Sequence, residues 1–167
     1  SVTSGSTTTG GGISVSPGTP TRSGYSFNGW FAGSTGGSAL TFPYAHGRTA
    51  DFTLYAQWSA AARTLTYALN SGTATPSLSQ VSNLVVGNTV TLPASNTMSR
   101  TGYTFAGWND GTLTYSGGAI WTVPASDSNF TLTAQWTTQT LSFSYDSNGG
   151  GTAPSSGTIS YGQTMTL

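Results

Sequence analysis

Apolar and polar residues alternate with a period of two along several short segments of this chain. In residues 52–58 every second residue is apolar, in the order Phe, Leu, Ala and Trp, with Thr, Tyr and Gln between them. The same alternation recurs in residues 65–69 and 141–145. A period of two is typical of strands with one buried face. The pattern therefore predicts short β-strands, and no segment shows a convincing helical period.

The chain also contains an internal repeat. Residues 22–58 align without a gap on residues 100–136, at an offset of 78 positions. Aromatic residues and glycines dominate the matched positions, and we predict that they form the structural framework of each copy. These repeat-motif residues are Gly24, Tyr25, Phe27, Gly29, Trp30, Phe52, Leu54 and Trp58 in the first copy, and Gly102, Tyr103, Phe105, Gly107, Trp108, Phe130, Leu132 and Trp136 in the second.

The repeat predicts three modules of unequal completeness. Residues 63–136 form a complete module, whereas residues 1–58 lack the first strand of such a module. Residues 140–167 provide only the first half of a third, in which the alternating residues are Leu141, Phe143 and Tyr145. The predicted fold class is all-β or small α+β, with tandem modules of mostly antiparallel strands in a rod-like array.

Composition narrows the possible functions. Charged residues are 5% of the chain, with four Arg, four Asp, no Lys and no Glu, and the formal net charge is zero. A neutral chain has no electrostatic attraction for nucleic acid or for an anionic membrane, so we expect neither as a partner. No apolar run approaches the ~20 residues of a transmembrane helix. Cysteine is absent, so packing and strand pairing must supply the stability.

Residues that could carry chemistry do not recur between the two copies. The only histidine, His46, aligns with Pro124, and we expect it to be a solvated loop residue. The four carboxylates, none shared by the alignable copies, are Asp51, Asp110, Asp127 and Asp146. Residues 146–150 faintly resemble a calcium loop but lack its further oxygen ligands, and an Asx-rich turn is the simpler interpretation. The sequence therefore predicts no catalytic residue, no metal and no cofactor.

Two paired segments resemble a known family. Residues 102–108, Gly-Tyr-Thr-Phe-Ala-Gly-Trp, and residues 130–136, Phe-Thr-Leu-Thr-Ala-Gln-Trp, are similar to the Listeria–Bacteroides repeat, the B-repeat of internalin-type surface proteins. The resemblance implies a small β-grasp-like module, repeated along secreted or wall-anchored bacterial proteins, with no catalytic residues and a spacer, adhesive or assembly role. Typical members carry many charged residues, and this chain departs from them in that respect.

The tryptophans allow two interpretations. Trp30, Trp58, Trp108 and Trp136 recur in both copies, and we expect them in the cores of the modules because aromatic side chains dominate burial in small β folds. Trp121 aligns with Pro43 instead, so the fold does not require a tryptophan at that position. We therefore single out Trp121 as a candidate ligand contact, a platform on which a sugar ring could stack.

The expected function is structural. Soluble proteins guard exposed strand edges with charge, especially Lys, and this chain has no Lys and few other charged residues. Either glycans on the abundant Ser and Thr protect those edges, or other copies of the chain (head to tail) or neighbouring repeats of a longer chain cover them. In the second case residues 141–145 are the candidate inter-subunit strand. The prediction is an extracellular fibre, surface layer or adhesin stalk of a bacterial cell surface. The alternative is an adhesin module that binds glycans or a host protein.

Overall fold

Short β-strands make up nearly all of the regular structure in the computed structural model, which describes residues 4–165. Within those residues the helical content is one 3-10 helix, Ser95–Thr97. The predicted all-β fold class is therefore confirmed, while its β-grasp-like character stays a prediction. Residues 1–3 and 166–167, which belong to the first and third predicted modules, lie outside the described residues.

The described chain divides into two compact units. One contains the residues up to Ala62 together with Pro124–Asp127, and the other contains Arg63–Val123 and the residues from Ser128 onward. Residues 140–165, predicted to open a third module, are thus part of the second unit.

Antiparallel strand pairs organise the first unit. Its strands are β1 (Gly12–Ile13), β2 (Tyr25–Phe31), β3 (Tyr44–Ala45) and β4 (Tyr55–Ala60). β2 pairs with β4, so that Phe27 lies opposite Trp58, and β1 pairs with β3. The alternating segment 52–58 is only partly a strand, since β4 begins at Tyr55. Within the described part of the chain, no strand pairs with residues 52–54.

The second unit is built on a five-stranded mixed sheet. Its strands are β5 (Arg63–Ala68), β6 (Thr73–Ala74), β7 (Val81–Leu84), β8 (Thr89–Thr91), β9 (Met98–Ser99), β10 (Tyr103–Asn109), β11 (Thr114–Tyr115), β12 (Ile120–Thr122), β13 (Phe130–Thr138), β14 (Thr140–Phe143) and β15 (Gly157–Ser160). The sheet has the order β11-β10-β13-β5-β7. Its β13–β5 pair is parallel and its other pairs are antiparallel. β8 with β12, β6 with β9, and β14 with β15 form two-stranded sheets.

The same β-bulge interrupts β2 and β10. The register shifts between Phe27 and Gly29 in one strand and between Phe105 and Gly107 in the other. The two glycines have φ angles of +123° and +140°, a conformation that L side chains rarely adopt. A bulge adds one residue to one strand, which reverses the side on which later side chains lie. A regular strand would place residues three positions apart on opposite faces. Across the bulge, two such residues therefore lie on the same face.

The core of the second unit joins the five-stranded sheet to the β8–β12 pair. Its buried residues are Leu65, Leu84, Leu92, Met98, Trp108, Trp121, Val123, Leu132 and Ala134. Leu65 and Leu132 lie on the neighbouring parallel strands β5 and β13, and both side chains are fully buried. The first unit has fewer buried hydrophobic side chains: among its described residues only Phe31 is buried.

Candidate functional site

An aromatic triad occupies the same position in both copies of the repeat. In the second unit the ring of Phe105 contacts Trp108 and Trp136 edge to face, with both centroid separations at 5.3 Å. In the first unit Phe27 contacts Trp30 at 5.8 Å and Trp58 at 5.4 Å. The bulge makes this geometry possible, because it brings the Phe and the Trp three residues later onto one face.

The indole nitrogens of these tryptophans donate to backbone carbonyls. Trp108 Nε1 donates to the oxygen of Pro93 at 3.1 Å, and Trp136 Nε1 donates to that of Leu69 at 3.0 Å. A tryptophan removed from water needs such a partner for its N–H group. These two tryptophans are thus satisfied within the protein and have no polar group left for a ligand.

The two triads differ in how well they are covered. Trp108 is fully buried, and Tyr67 of β5 packs on it with a centroid separation of 5.1 Å. Burial raises the pKa of the Tyr67 hydroxyl. Trp30 is only partly buried, and the described residues of the first unit contain no strand equivalent to β5. The aromatic triad is therefore a local feature of the motif, whereas the complete burial of its first tryptophan accompanies the packing of β5 on it.

A tight turn with an arginine over a tyrosine precedes each triad. The Tyr25 amide donates to the Arg22 carbonyl at 3.0 Å, and the guanidinium carbon of Arg22 lies 3.7 Å from the centre of the Tyr25 ring. In the other copy Tyr103 and Arg100 make the same bond at 3.0 Å, with a stacking distance of 3.9 Å. Sequence comparison aligned these arginines but did not reveal the stack, which places two of the four cations in one repeated geometry.

An open cleft accompanies each arginine–tyrosine pair. The larger one has a volume of about 450 Å³ and is lined by Arg100, Tyr103, Phe105 and hydroxyl side chains. The smaller one, about 220 Å³, is lined by the equivalent Arg22 and Tyr25 in the first unit. Both clefts are shallow, and neither holds a group of His and carboxylate side chains that could perform acid–base chemistry.

Trp121 does not provide a ligand platform, contrary to the expectation from its alignment with Pro43. Its side chain is 2% exposed and packs edge to face on Phe130, with a centroid separation of 5.1 Å. A sugar ring needs a free aromatic face, and this indole has none. The alignment missed the burial because β12 packs into the core only in the complete module.

Asp110 closes a turn with its carboxylate. The oxygens accept hydrogen bonds from the amides of Thr112 and Leu113 at 2.9 and 2.8 Å, and from the Tyr115 hydroxyl at 2.9 Å. Burial raises the pKa of Asp110, but these hydrogen bonds together with one from the Trp121 indole outweigh it, so the net effect lowers the pKa. The hydrogen bond to Asp110 in turn raises the pKa of the Tyr115 hydroxyl. Asp110 is thus an ionised structural acceptor with its oxygens occupied.

His46 is buried, which corrects the expectation of a solvated loop residue. Its side chain is 8% exposed and its ring lies 4.7 Å from that of Phe52, centre to centre. Nδ1 accepts a hydrogen bond from the Arg48 amide at 3.0 Å, and Nε2 lies 3.3 Å from the Thr7 hydroxyl. Because Nδ1 is an acceptor, the proton of the neutral ring is on Nε2. These contacts give His46 a packing role.

Potential metal ligands do not cluster in residues 4–165. That part of the chain contains no group of three or more His, Cys, Asp or Glu side chains able to hold a metal ion. Asp146, the first residue of the segment that resembles a calcium loop, accepts a hydrogen bond from the Asn148 amide at 2.9 Å, which is the Asx turn.

The strand β14 has an exposed apolar side chain and only one paired neighbour among the described residues. Leu141 of β14 aligns with Leu65 of β5, yet Leu141 is 68% exposed while Leu65 is fully buried. β5 has two hydrogen-bonded neighbours, β7 and the parallel strand β13, whereas β14 pairs only with β15 among the described residues. The edge equivalent to the one that β13 covers in the complete module is therefore open on β14.

A tyrosine fastens the β14–β15 pair to the complete module. Tyr161 packs on Gly102 so closely that no Cβ could be added to that glycine, and its ring lies 5.8 Å from that of Tyr103. The Gln139 amide donates to the Gly102 carbonyl at 2.8 Å, and the Tyr161 amide donates to the Gln139 carbonyl at 2.9 Å. These contacts fix the β14–β15 pair to the start of β10.

No helix among the described residues is both long and apolar enough to span a membrane.

Comparison with known proteins identifies similar repeats. The family model of the Listeria-Bacteroides repeat domain matches residues 1–57 and 64–135. Internalin H of Listeria monocytogenes is 34% identical over 126 residues, which cover 72% of this chain and 21% of that protein. A protein of Evansella cellulosilytica named "Putative Gly-rich membrane protein" is 33% identical over 146 residues. These residues cover 80% of this chain and 16% of the Evansella protein. The chain thus spans about a fifth or less of these relatives. No solved structure gave a significant match.

Proposed function

Because the chain belongs to the Listeria-Bacteroides repeat domain family, we propose that it is a non-enzymatic structural repeat segment of an extracellular bacterial surface protein. Its modules would act as building blocks of a fibre, a surface layer or an adhesin stalk. Support comes from the names of the relatives, one an internalin and one a membrane protein. Further support comes from the candidate catalytic side chains, which serve as turn acceptors and packing groups where their contacts are described.

One observation carries the assembly role: the contrast between Leu65 and Leu141. The same position of the module is fully buried beside a parallel strand in one copy and 68% exposed in the next. Burying a leucine stabilises a fold by about 1.5–3 kcal/mol, so the open edge of β14 favours any strand that restores the arrangement. We propose that modules are completed by strand addition between neighbours, in a longer chain or between copies.

The strand order supports a β-grasp-like module. The first and last strands of the complete repeat, β5 and β13, lie side by side and parallel within the sheet, with β7 and β10 outside them. A module of this kind depends on its first strand to cover the last, which agrees with the partly buried Trp30 of the first unit.

Sedimentation velocity of the 167-residue chain over a range of concentrations tests the assembly role. We expect the weight-average sedimentation coefficient to rise with concentration, and Leu141→Asn to reduce that rise because it places an amide in the proposed apolar contact. Leu113→Asn is the matched control, since Leu113 is also exposed, at 60%, but lies in a turn outside the strand edge. A single monomeric species at every concentration would contradict assembly between copies.

A binding role is the second candidate, favoured by the cleft beside Arg100, whose lining residues include no carboxylate, whereas Asp127 lines the equivalent cleft beside Arg22. A guanidinium held against a tyrosine ring offers both charge and a stacking face to an acidic sugar. A glycan array with the wild-type chain and Arg100→Gln tests this role. Binding to acidic glycans that the variant loses would support it, and no signal on any glycan would leave the structural role alone.

A further inference from the structure

We propose a specific register for assembly: β14 of one copy lies parallel to residues 52–54 of a second copy, with Leu141 opposite Phe52, Ser142 opposite Thr53 and Phe143 opposite Leu54. The inference rests on the proposed assembly role, and it adds which strand is accepted, in which direction and in which alignment. The two copies would then share one module, built from the first unit of one chain and the β14–β15 pair of the other.

The complete module provides the template for this register. Its β5 and β13 pair in parallel, with Leu65 opposite Phe130, Thr66 opposite Thr131 and Tyr67 opposite Leu132. The alternating residues of β14 follow those of β5 at an offset of 76 positions, and residues 52–54 precede Phe130–Leu132 by the repeat offset of 78. Transferring the pairs by these two offsets gives the proposed register.

The accepting segment shows the effect of a missing neighbour. β13 begins at Phe130, but the equivalent strand β4 begins three residues later than its alignment requires, at Tyr55. Residues 52–54 therefore have strand-forming alternation but no strand structure. Leu54 is also less buried than its equivalent Leu132, which is fully buried, whereas Phe52 and its equivalent Phe130 are both partly buried. Pairing with β14 would extend β4 back to Phe52.

The donated segment has matching chemistry. Leu141 is 68% exposed, whereas Phe143 on the same side of β14 is partly buried against Tyr145, with ring centres 5.7 Å apart. A slip of one residue would turn these apolar side chains to the opposite face of the new strand pair. Residues 140–145 and 52–54 contain no charged side chain, so no like-charge repulsion opposes their contact.

The outward-facing pair of the template makes the register measurable. The hydroxyl oxygens of Thr66 and Thr131 lie 3.1 Å apart on the exposed side of the β5–β13 pair. Two cysteine sulfurs at these positions would be close enough for a disulfide, whose S–S bond is about 2.05 Å long. Ser142 and Thr53 are the equivalent pair between copies, and both are exposed. Because the chain has no cysteine of its own, introduced cysteines report on a single contact.

The experiment mixes two single variants, Thr53→Cys and Ser142→Cys, under mild oxidation. Non-reducing electrophoresis should show a disulfide-linked dimer that needs both variants, at least tenfold more abundant than in either variant alone. The double variant Thr66→Cys/Thr131→Cys is the positive control and should form an intramolecular disulfide. Tyr55→Cys mixed with Ser142→Cys is the out-of-register control, because Tyr55 lies two residues farther along on the same exposed face.

The outcomes separate the register from the assembly role. Sedimentation of each mixture before oxidation shows whether copies associate at all. Association without the Thr53–Ser142 disulfide overturns the register and leaves the assembly role standing, whereas absence of association overturns pairing between copies and the register with it, but not strand addition along a longer chain. Efficient dimers of Ser142→Cys alone would show that β14 pairs with another β14, and equal yield with Tyr55→Cys would show that the strands are not held in one alignment. Either result contradicts the proposal.

Discussion

The contrast between Leu65 and Leu141 predicts unequal costs for the same substitution. The two leucines occupy equivalent positions of the repeat, on β5 and β14, but only Leu65 is covered by a parallel strand. Leu65→Ala leaves a cavity in a packed core, and such changes cost about 2–5 kcal/mol. Leu141 is 68% exposed, so its truncation removes only about a third of the buried apolar area that truncation of a fully buried leucine removes. The cost is therefore about 0.5–1 kcal/mol.

These costs translate into separable thermal shifts. For a unit of about 100 residues, 1 kcal/mol corresponds to a shift of roughly 4–8 °C in Tm. At about 3 kcal/mol, Leu65→Ala lowers the Tm of the second unit by roughly 12–24 °C, while Leu141→Ala lowers it by roughly 2–8 °C. Urea unfolding provides an independent measure, since the midpoint should fall without a change in slope.

The assay is intrinsic tryptophan fluorescence at a concentration at which sedimentation shows a monomer. The second unit contains the fully buried Trp108 and the almost fully buried Trp121, which are the expected reporters of its unfolding. Equal losses of stability for the two variants would refute the reasoning, because they would mean that Leu141 is buried as completely as Leu65 in solution. A higher protein concentration should increase the cost of Leu141→Ala alone if copies cover β14.

Two further predictions concern the bulge and the turn of β10. Gly107→Ala should destabilise the second unit by at least about 2 kcal/mol, from backbone strain at φ +140° together with a clash, since the added Cβ would lie 2.6 Å from the Tyr115 carbonyl oxygen. Gly111→Ala, at φ +98° but with open space around it, should cost clearly less in the same urea titration, and equal costs would contradict the role of the clash. Asp110→Asn should reduce the acid sensitivity of stability: the folded-state pKa of Asp110 is lowered, so its contribution is present above the unfolded pKa and is lost as the pH falls through the folded value. Urea midpoints between pH 2 and 7 test this, and an unchanged pH profile would show that its hydrogen bonds do not favour the carboxylate.

The alternation of apolar residues predicted the strands well where each strand finds a partner. Residues 65–68 lie within β5, and residues 130–136, which repeat the pattern of residues 52–58, lie within β13. The equivalent alternation in residues 52–58 predicted a strand over that whole segment, but in the structure the strand begins only at Tyr55. Alternation reports which residues can face a core, whereas the extent of a strand also depends on a neighbour that is distant in sequence.

The shared face of Phe105 and Trp108 could not be read from alternation, because a spacing of three places residues on opposite sides of a regular strand. The bulge at Gly107 restores them to one face. A glycine directly before the tryptophan in both copies was the signal available in the sequence, since an isolated glycine within a strand indicates a bulge. Trp121 was misjudged for a related reason: its alignment with Pro43 described a position but not the packing of β12 around it.

Burial in this chain is a property of the module as a whole and not of the motif. The triad of Phe27, Trp30 and Trp58 has nearly the same ring geometry as its counterpart in the second unit. Even so, Trp30 stays partly exposed while Trp108 is fully buried, because Trp108 is covered by a strand that lies outside the repeated motif. The ring geometry of the triad is therefore a property of the motif, whereas the burial of its first tryptophan is a property of the strand that covers it.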